Sequence, residues 1–147
     1  MSARSLNTAR EIAAVVSRLQ RRMREVGHID TVTPSMASVL DRLDKEGPAS
    51  TSDLARAERV RPQSMAATVA ALVKGGFVER RPDPADSRRQ LIALAGDTGA
   101  QIEIRRRARS DWLATALDER FSADERAEIA KALRLLARLA EPDAGSI

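Results

Sequence analysis

Apolar residues recur at three- and four-residue steps over most of this chain, the period of a helix that buries one face. Leu6, Ile12, Val16, Leu19, Met23 and Val26 form one such stripe, with Arg10, Arg18, Arg21, Arg22 and Arg24 on other faces, and predict a long helix ending near Gly27. Thr33 before Pro34 reads as an N-cap followed by proline at the first helical position. Met36, Val39, Leu40 and Leu43 then repeat until Gly47-Pro48 stops the run. Ser50-Thr51-Ser52-Asp53 opens a short helix ending near Val60, and Pro62 opens another through Met65, Val69, Leu72 and Val73 to Gly75-Gly76. Two short helices joined by a few residues predict a helix-turn-helix.

Beyond the glycines the period changes. Phe77–Arg81 and Gln90–Leu94 are short, partly alternating runs flanked by proline, aspartate and glycine, as expected of a β-hairpin. Their connection, Pro82-Asp83-Pro84-Ala85-Asp86-Ser87-Arg88-Arg89, is rich in turn formers and should project as a basic loop. Helical spacing returns after Asp97-Thr98 with Ile102, Ile104, Ala108, Trp112, Leu113 and Leu117. Ser122 with Glu125 three positions on marks a new helix start, followed by Ile129, Leu133, Leu136, Leu139 and Ala140 up to Glu141-Pro142. The expected fold is mainly α with a small β-hairpin wing: a winged helix-turn-helix over 33–96, an N-terminal dimerisation helix in 1–32 and C-terminal dimerisation helices in 97–147. The terminal helices exceed what a winged helix needs for its core. Leu6, Ile12, Val16, Leu19, Trp112, Leu133, Leu136 and Leu139 are therefore expected to meet a second copy, the alternative being a monomer in which they fold back.

Charge sharpens this division. Of 147 residues, 25 are basic and 21 acidic, for a net charge of +4. Residues 1–26 carry six arginines and two glutamates, and residues 61–95 six basic and three acidic side chains, whereas the last 37 residues carry five basic and eight acidic ones. A basic middle is what a phosphate-facing surface requires. Arginine supplies 22 of the 25 basic residues, and its planar fork suits phosphate and guanine, although a GC-rich genome would give the same bias. With no cysteine, the chain has no disulfide framework, thiolate metal site or cysteine redox switch. No apolar run is long enough for a membrane span or a secretory leader, which predicts a cytoplasmic protein. His28, the single histidine, has no clustered carboxylates beside it and is expected to be a surface residue. No Gly-rich phosphate loop, paired nucleophile and base, or metal cluster is present, so neither an enzyme, a cofactor nor a metal is expected.

Leu72 with Gly76-Phe77-Val78-Glu79-Arg80, then Asp83-Pro84 and Asp86-Ser87-Arg88 leading into Leu91 and Leu94, resembles the wing signature of the MarR family of multiple-antibiotic-resistance-type winged-helix transcriptional regulators. The specific motif covers about residues 72–94, and the element order extends the resemblance over nearly the whole chain. It implies a homodimeric regulator, a repressor by expectation, that binds an inverted-repeat operator in double-stranded DNA. Half-sites about one helical turn apart would match the twofold axis. With Met65, Val69 and Leu72 facing the core, Gln63, Ser64, Ala67, Thr68 and Ala71 are left toward DNA. Gln63 can pair with adenine, Ser64 and Thr68 can donate or accept, and alanine methyls can meet thymine methyls. Arg61 is placed for a phosphate or a guanine, and Ser52 near a helix start for a phosphate. In the wing, Arg88 is the candidate for a narrow minor groove, Asp86 the residue that orients an arginine, and Arg89, Arg80 and Arg81 candidates for flanking phosphates.

The resemblance also implies control by a small, often phenolic, aromatic ligand between the dimerisation helices and the DNA-binding lobe, with Leu19, Met23, Met36, Leu40, Met65 and Trp112 as candidate lining. Two features depart from the family pattern. Ala66, Ala67, Ala70 and Ala71 occupy positions where polar or arginine side chains are frequent, which shifts the expected readout from base edges toward DNA shape. Leu94 is followed by Ala95-Gly96 rather than by a capping threonine, leaving Asp97 or Thr98 to start the next helix. The same alanine-rich face keeps a second class open, a winged-helix module that docks a protein and has no operator.

Overall fold

A computed structural model describes residues 2–27 and 30–141; His28 and Pro142 lie outside them. The elements follow in the order α1 (Ala3–Glu25), α2 (Pro34–Glu46), α3 (Thr51–Glu58), α4 (Pro62–Lys74), β1 (Val78–Pro82), β2 (Gln90–Leu94), α5 (Thr98–Arg120) and α6 (Ala123–Ala140). Helix starts obey local chemistry. The side-chain oxygens of Ser2, Thr33, Ser50 and Ser122 accept from the backbone N–H three residues on, and Ser122 with Glu125 completes a capping box. At α5 the Asp97 carbonyl accepts the first helical bond from Gln101, and its carboxylate accepts from the Gln101 side-chain amide at 2.9 Å. The helix thus starts from the Asp97 carbonyl, with the Asp97 carboxylate tied to the Gln101 side chain.

The chain divides between Arg109 and Ser110 into two compact units, with α5 continuous across the division. The core of the first unit joins Met36, Val39, Leu40 and Leu43 of α2 to Leu54 and Ala55 of α3, Met65, Val69 and Leu72 of α4, Val78 and Ile92 of the hairpin, and Ile102 of α5. Several of these are completely buried, and each fully buried aliphatic side chain contributes on the order of 1.5–3 kcal/mol. The hairpin is antiparallel, with Val78 opposite Leu94 and Pro82 opposite Gln90. The middle of β2 is fixed to the α2–α3 connection by a two-bond bridge between Ala49 and Ile92, at 3.1 and 2.8 Å. The turn from α4 into β1 depends on two glycines for different reasons. Gly76 has φ +74°, and a Cβ at Gly75 would lie 2.7 Å from the Phe77 ring.

The terminal helices contrast with this core. No residue of α1 or α6 is buried in the single chain. Leu133 is 59% exposed and Leu139 74%, with Leu6, Val16, Leu19 and Leu136 also open. Ile12 and Trp112 are partly covered. None of the described helices is long and apolar enough to cross a membrane.

Candidate nucleic-acid interface

The outward surface of α4 follows from what its inner face needs. Turning Met65, Val69 and Leu72 into the core leaves Gln63, Ser64, Ala66, Ala67, Ala70 and Ala71 exposed, with Arg61 exposed just before the helix. Thr68 is half-buried, and its hydroxyl donates to the Ser64 carbonyl at 3.1 Å, so its proton is engaged within the helix. Arg59 closes α3 in the left-handed region at φ 55°, a conformation costing about 1–2 kcal/mol outside glycine. Ser52, in the first turn of α3, is exposed.

The wing separates its two adjacent arginines. The Asp86 carboxylate accepts from the Arg88 backbone N–H at 3.1 Å and from Arg88 Nε at 3.4 Å, and the Arg88 side chain is 92% exposed. Asp83 folds the start of the loop, its carboxylate accepting from the Ala85 N–H at 2.9 Å and its N–H donating to the Arg89 carbonyl at 2.8 Å. Arg89 points the other way. Its Nη2 donates to Ser50 Oγ at 3.0 Å and to Asp53 Oδ2, and its Nε lies 4.0 Å from Asp83. Arg89, expected to approach phosphate, ties the wing to the start of α3, because two carboxylates and a capping hydroxyl converge on it. Arg81 likewise meets Glu79, at 2.7 Å.

This junction shifts Asp53. A hydrogen bond from Ser50, with the nearby charges of Arg89 and Arg56, outweighs partial desolvation and holds the carboxyl below its ordinary pKa. A second junction clamps α2 to α3. Burial would raise the Glu58 pKa, but hydrogen bonds from Ser38 (2.7 Å) and Arg42 (2.8 Å) lower it overall. The helix-turn-helix and the wing are thereby braced without using Arg61, Gln63, Ser64 or Arg88.

The residues expected to line a ligand site fall in different surroundings. Met36, Leu40 and Met65 are core residues, Leu19 is exposed on α1, Met23 is partly covered, and Trp112 belongs to the second compact unit. A cavity of about 430 Å³ lies elsewhere, lined by Arg21, Arg24, Glu25, Val26 and Gly27 at the end of α1, Val32, Thr33, Pro34 and Ala37 at the start of α2, and Arg105 and Arg109 of α5. The one acid among its described lining residues, Glu25, is paired with Arg22 at 2.7 Å. The i, i+4 spacing of Arg105 and Arg109 put them on one helix face. Nothing local signalled that α1 and α2 would meet that face.

A MarR family model matches residues 32–89, the segment from the end of the α1–α2 connection through β1 and the wing loop, ending just before β2. An HTH-type transcriptional regulator of Mycobacterium tuberculosis is 38% identical over 109 residues, covering 74% of this chain and 76% of that protein. Among solved structures, a protein from Pseudomonas aeruginosa PA01 described as a candidate transcriptional regulator superimposes with a TM-score of 0.86 at 32% identity, covering 97% of this chain and all of that one. The apo form of MarR from E. coli gives a TM-score of 0.69 at 25% identity, covering 87% of this chain and 95% of that one.

Proposed function

The chain belongs to the MarR family of winged helix-turn-helix transcriptional regulators, and we propose that it acts as a homodimeric repressor that reads an inverted repeat through α4 and the wing. Residues 33–96 form the DNA-reading part in this proposal, and residues 1–32 and 97–147 the dimerisation part. The observation that carries it is the solvent-exposed Arg88, oriented at the wing tip by Asp86 while Arg89 anchors the wing from behind. Such an arginine fits the minor groove beside a major groove occupied by Arg61, Gln63, Ser64 and Ala67. The exposed leucines of α1 and α6 support the dimer, since stripes of this size are normally covered.

The arginine-lined cavity supports regulation by a small aromatic anion. Arg21, Arg24 and Arg109 have no acidic partner among the described residues, and Val26, Val32 and Pro34 supply apolar walls for a ring. One experiment covers both parts. Selection from random duplex DNA with the purified chain should enrich an inverted repeat with half-sites about one helical turn apart. Benzoate, as the probe, should release that complex, and Arg109→Ala should remove the release while leaving DNA binding. Failure to enrich any sequence contradicts the operator, and a complex indifferent to benzoate contradicts the aromatic-carboxylate reading of the cavity.

A further inference from the structure

The exposed face of α4 is chemically unusual for a helix that reads bases. Along the turns opposite its buried Met65, Val69 and Leu72, it offers Gln63 and Ser64 at the start, then Ala66, Ala67, Ala70 and Ala71, and Lys74 at the end. Thr68, the one other hydroxyl, is half-buried and donates to the Ser64 carbonyl. Between the first and last turns no side chain can offer the paired donors that guanine requires, or the donor and acceptor pair that adenine requires. What this face presents is a close set of methyl groups on short side chains, which lets the helix backbone come near the groove floor. The thymine 5-methyl is the apolar group that the major groove displays there.

We propose that the middle of α4 specifies its half-site by packing Ala67, with Ala70 and Ala71 beside it, against thymine methyl groups, so that the contacted base pairs are recognised as thymines by their methyls rather than by hydrogen bonds. This rests on the assignment of α4 as the recognition helix. Hydrogen-bonded readout is confined to Arg61, Gln63 and Ser64 at the helix start. The half-site therefore divides into a short polar stretch and an adjoining stretch where a thymine differs from a uracil.

Deoxyuridine removes that methyl and keeps every base-pair hydrogen bond. The test uses the duplex selected by the full-length wild-type chain, with its thymines replaced by deoxyuridine one at a time and affinities read by fluorescence anisotropy. At one or more thymines per half-site the affinity should fall about fourfold, the equivalent of one buried methyl-sized group. The Ala67→Gly variant, checked for helix content and dimer mass, should bind the thymine duplex several-fold more weakly and lose most of the difference between thymine and deoxyuridine. Because the deoxyuridine series is first read with the wild-type chain, it stands even if that variant fails to fold. A selected operator bound equally well with and without every thymine methyl would overturn the methyl readout and leave the regulator reading intact. A chain that selects no sequence would overturn both.

Discussion

Arg88 projects from the wing tip with its charge open to solvent, while the neighbouring Arg89 is held by Ser50, Asp53 and Asp83. The two should respond differently to truncation. Arg88→Ala should weaken operator binding by about 1–3 kcal/mol without changing the melting temperature or the dimer; a mobility-shift titration that finds unchanged affinity would contradict its role. Asp53 makes the anchoring pH-dependent. Its pKa is lowered in the folded chain, first by the Ser50 hydrogen bond and then by Arg89 and Arg56. The stability it contributes is complete above its unfolded pKa of about 3.9 and is lost as pH falls through the lower folded value. Thermal melts from about pH 6 to about pH 3 should thus decline more steeply for wild type than for Asp53→Asn; parallel declines would remove Asp53 from the linkage. Of this junction the sequence revealed one half. Ser50 as an N-cap is a short-range pattern, readable from residues within three positions, as is the neighbouring Asp86–Arg88 pair outside the junction. Arg89 and Asp53 stand 36 positions apart, and no local period could pair them.

At the scale of elements, stop and start signals were readable because they are chemical events confined to a turn: Thr33-Pro34, Ser50, Gly75-Gly76 and Ser122 with Glu125 all lie where helices begin or end. Burial was less readable. The stripes of α2 and α6 look alike in sequence, yet Val39, Leu40 and Leu43 are buried, whereas Leu133 and Leu139 are exposed in the single chain. Period alone shows which side is apolar and not what covers it, and for the same reason it could not tell that Met36, Leu40 and Met65 are buried in the core of the first unit. A dimer partner is the proposed cover for α6. Replacing Leu133 and Leu136 together by glutamate should shift the chain from dimer to monomer in sedimentation equilibrium and preserve the helix content of the winged domain. A double variant that remains dimeric would place the interface elsewhere.

For the whole molecule, the net charge of +4 says little, but its placement says more. The basic surplus lies in α1 and in the segment from α4 through the wing. Internal pairs partly neutralise Arg42, Arg81, Arg89 and Arg106, the last at 2.8 Å from Asp44, while Arg88, although paired with Asp86, stays almost fully exposed. The cations left for DNA are therefore fewer than the composition suggests, with Arg61 and Arg88 foremost. A protein docking module built on the same alanine face would bind its partner with little salt dependence. The direct test of the central claim is the affinity of the purified chain for its selected inverted repeat, compared with a scrambled duplex as salt rises from about 50 to about 200 mM. A DNA-reading dimer should prefer the inverted repeat by roughly a thousandfold or more and lose affinity log-linearly with salt. Equal affinity for both duplexes, or binding indifferent to salt, would contradict it.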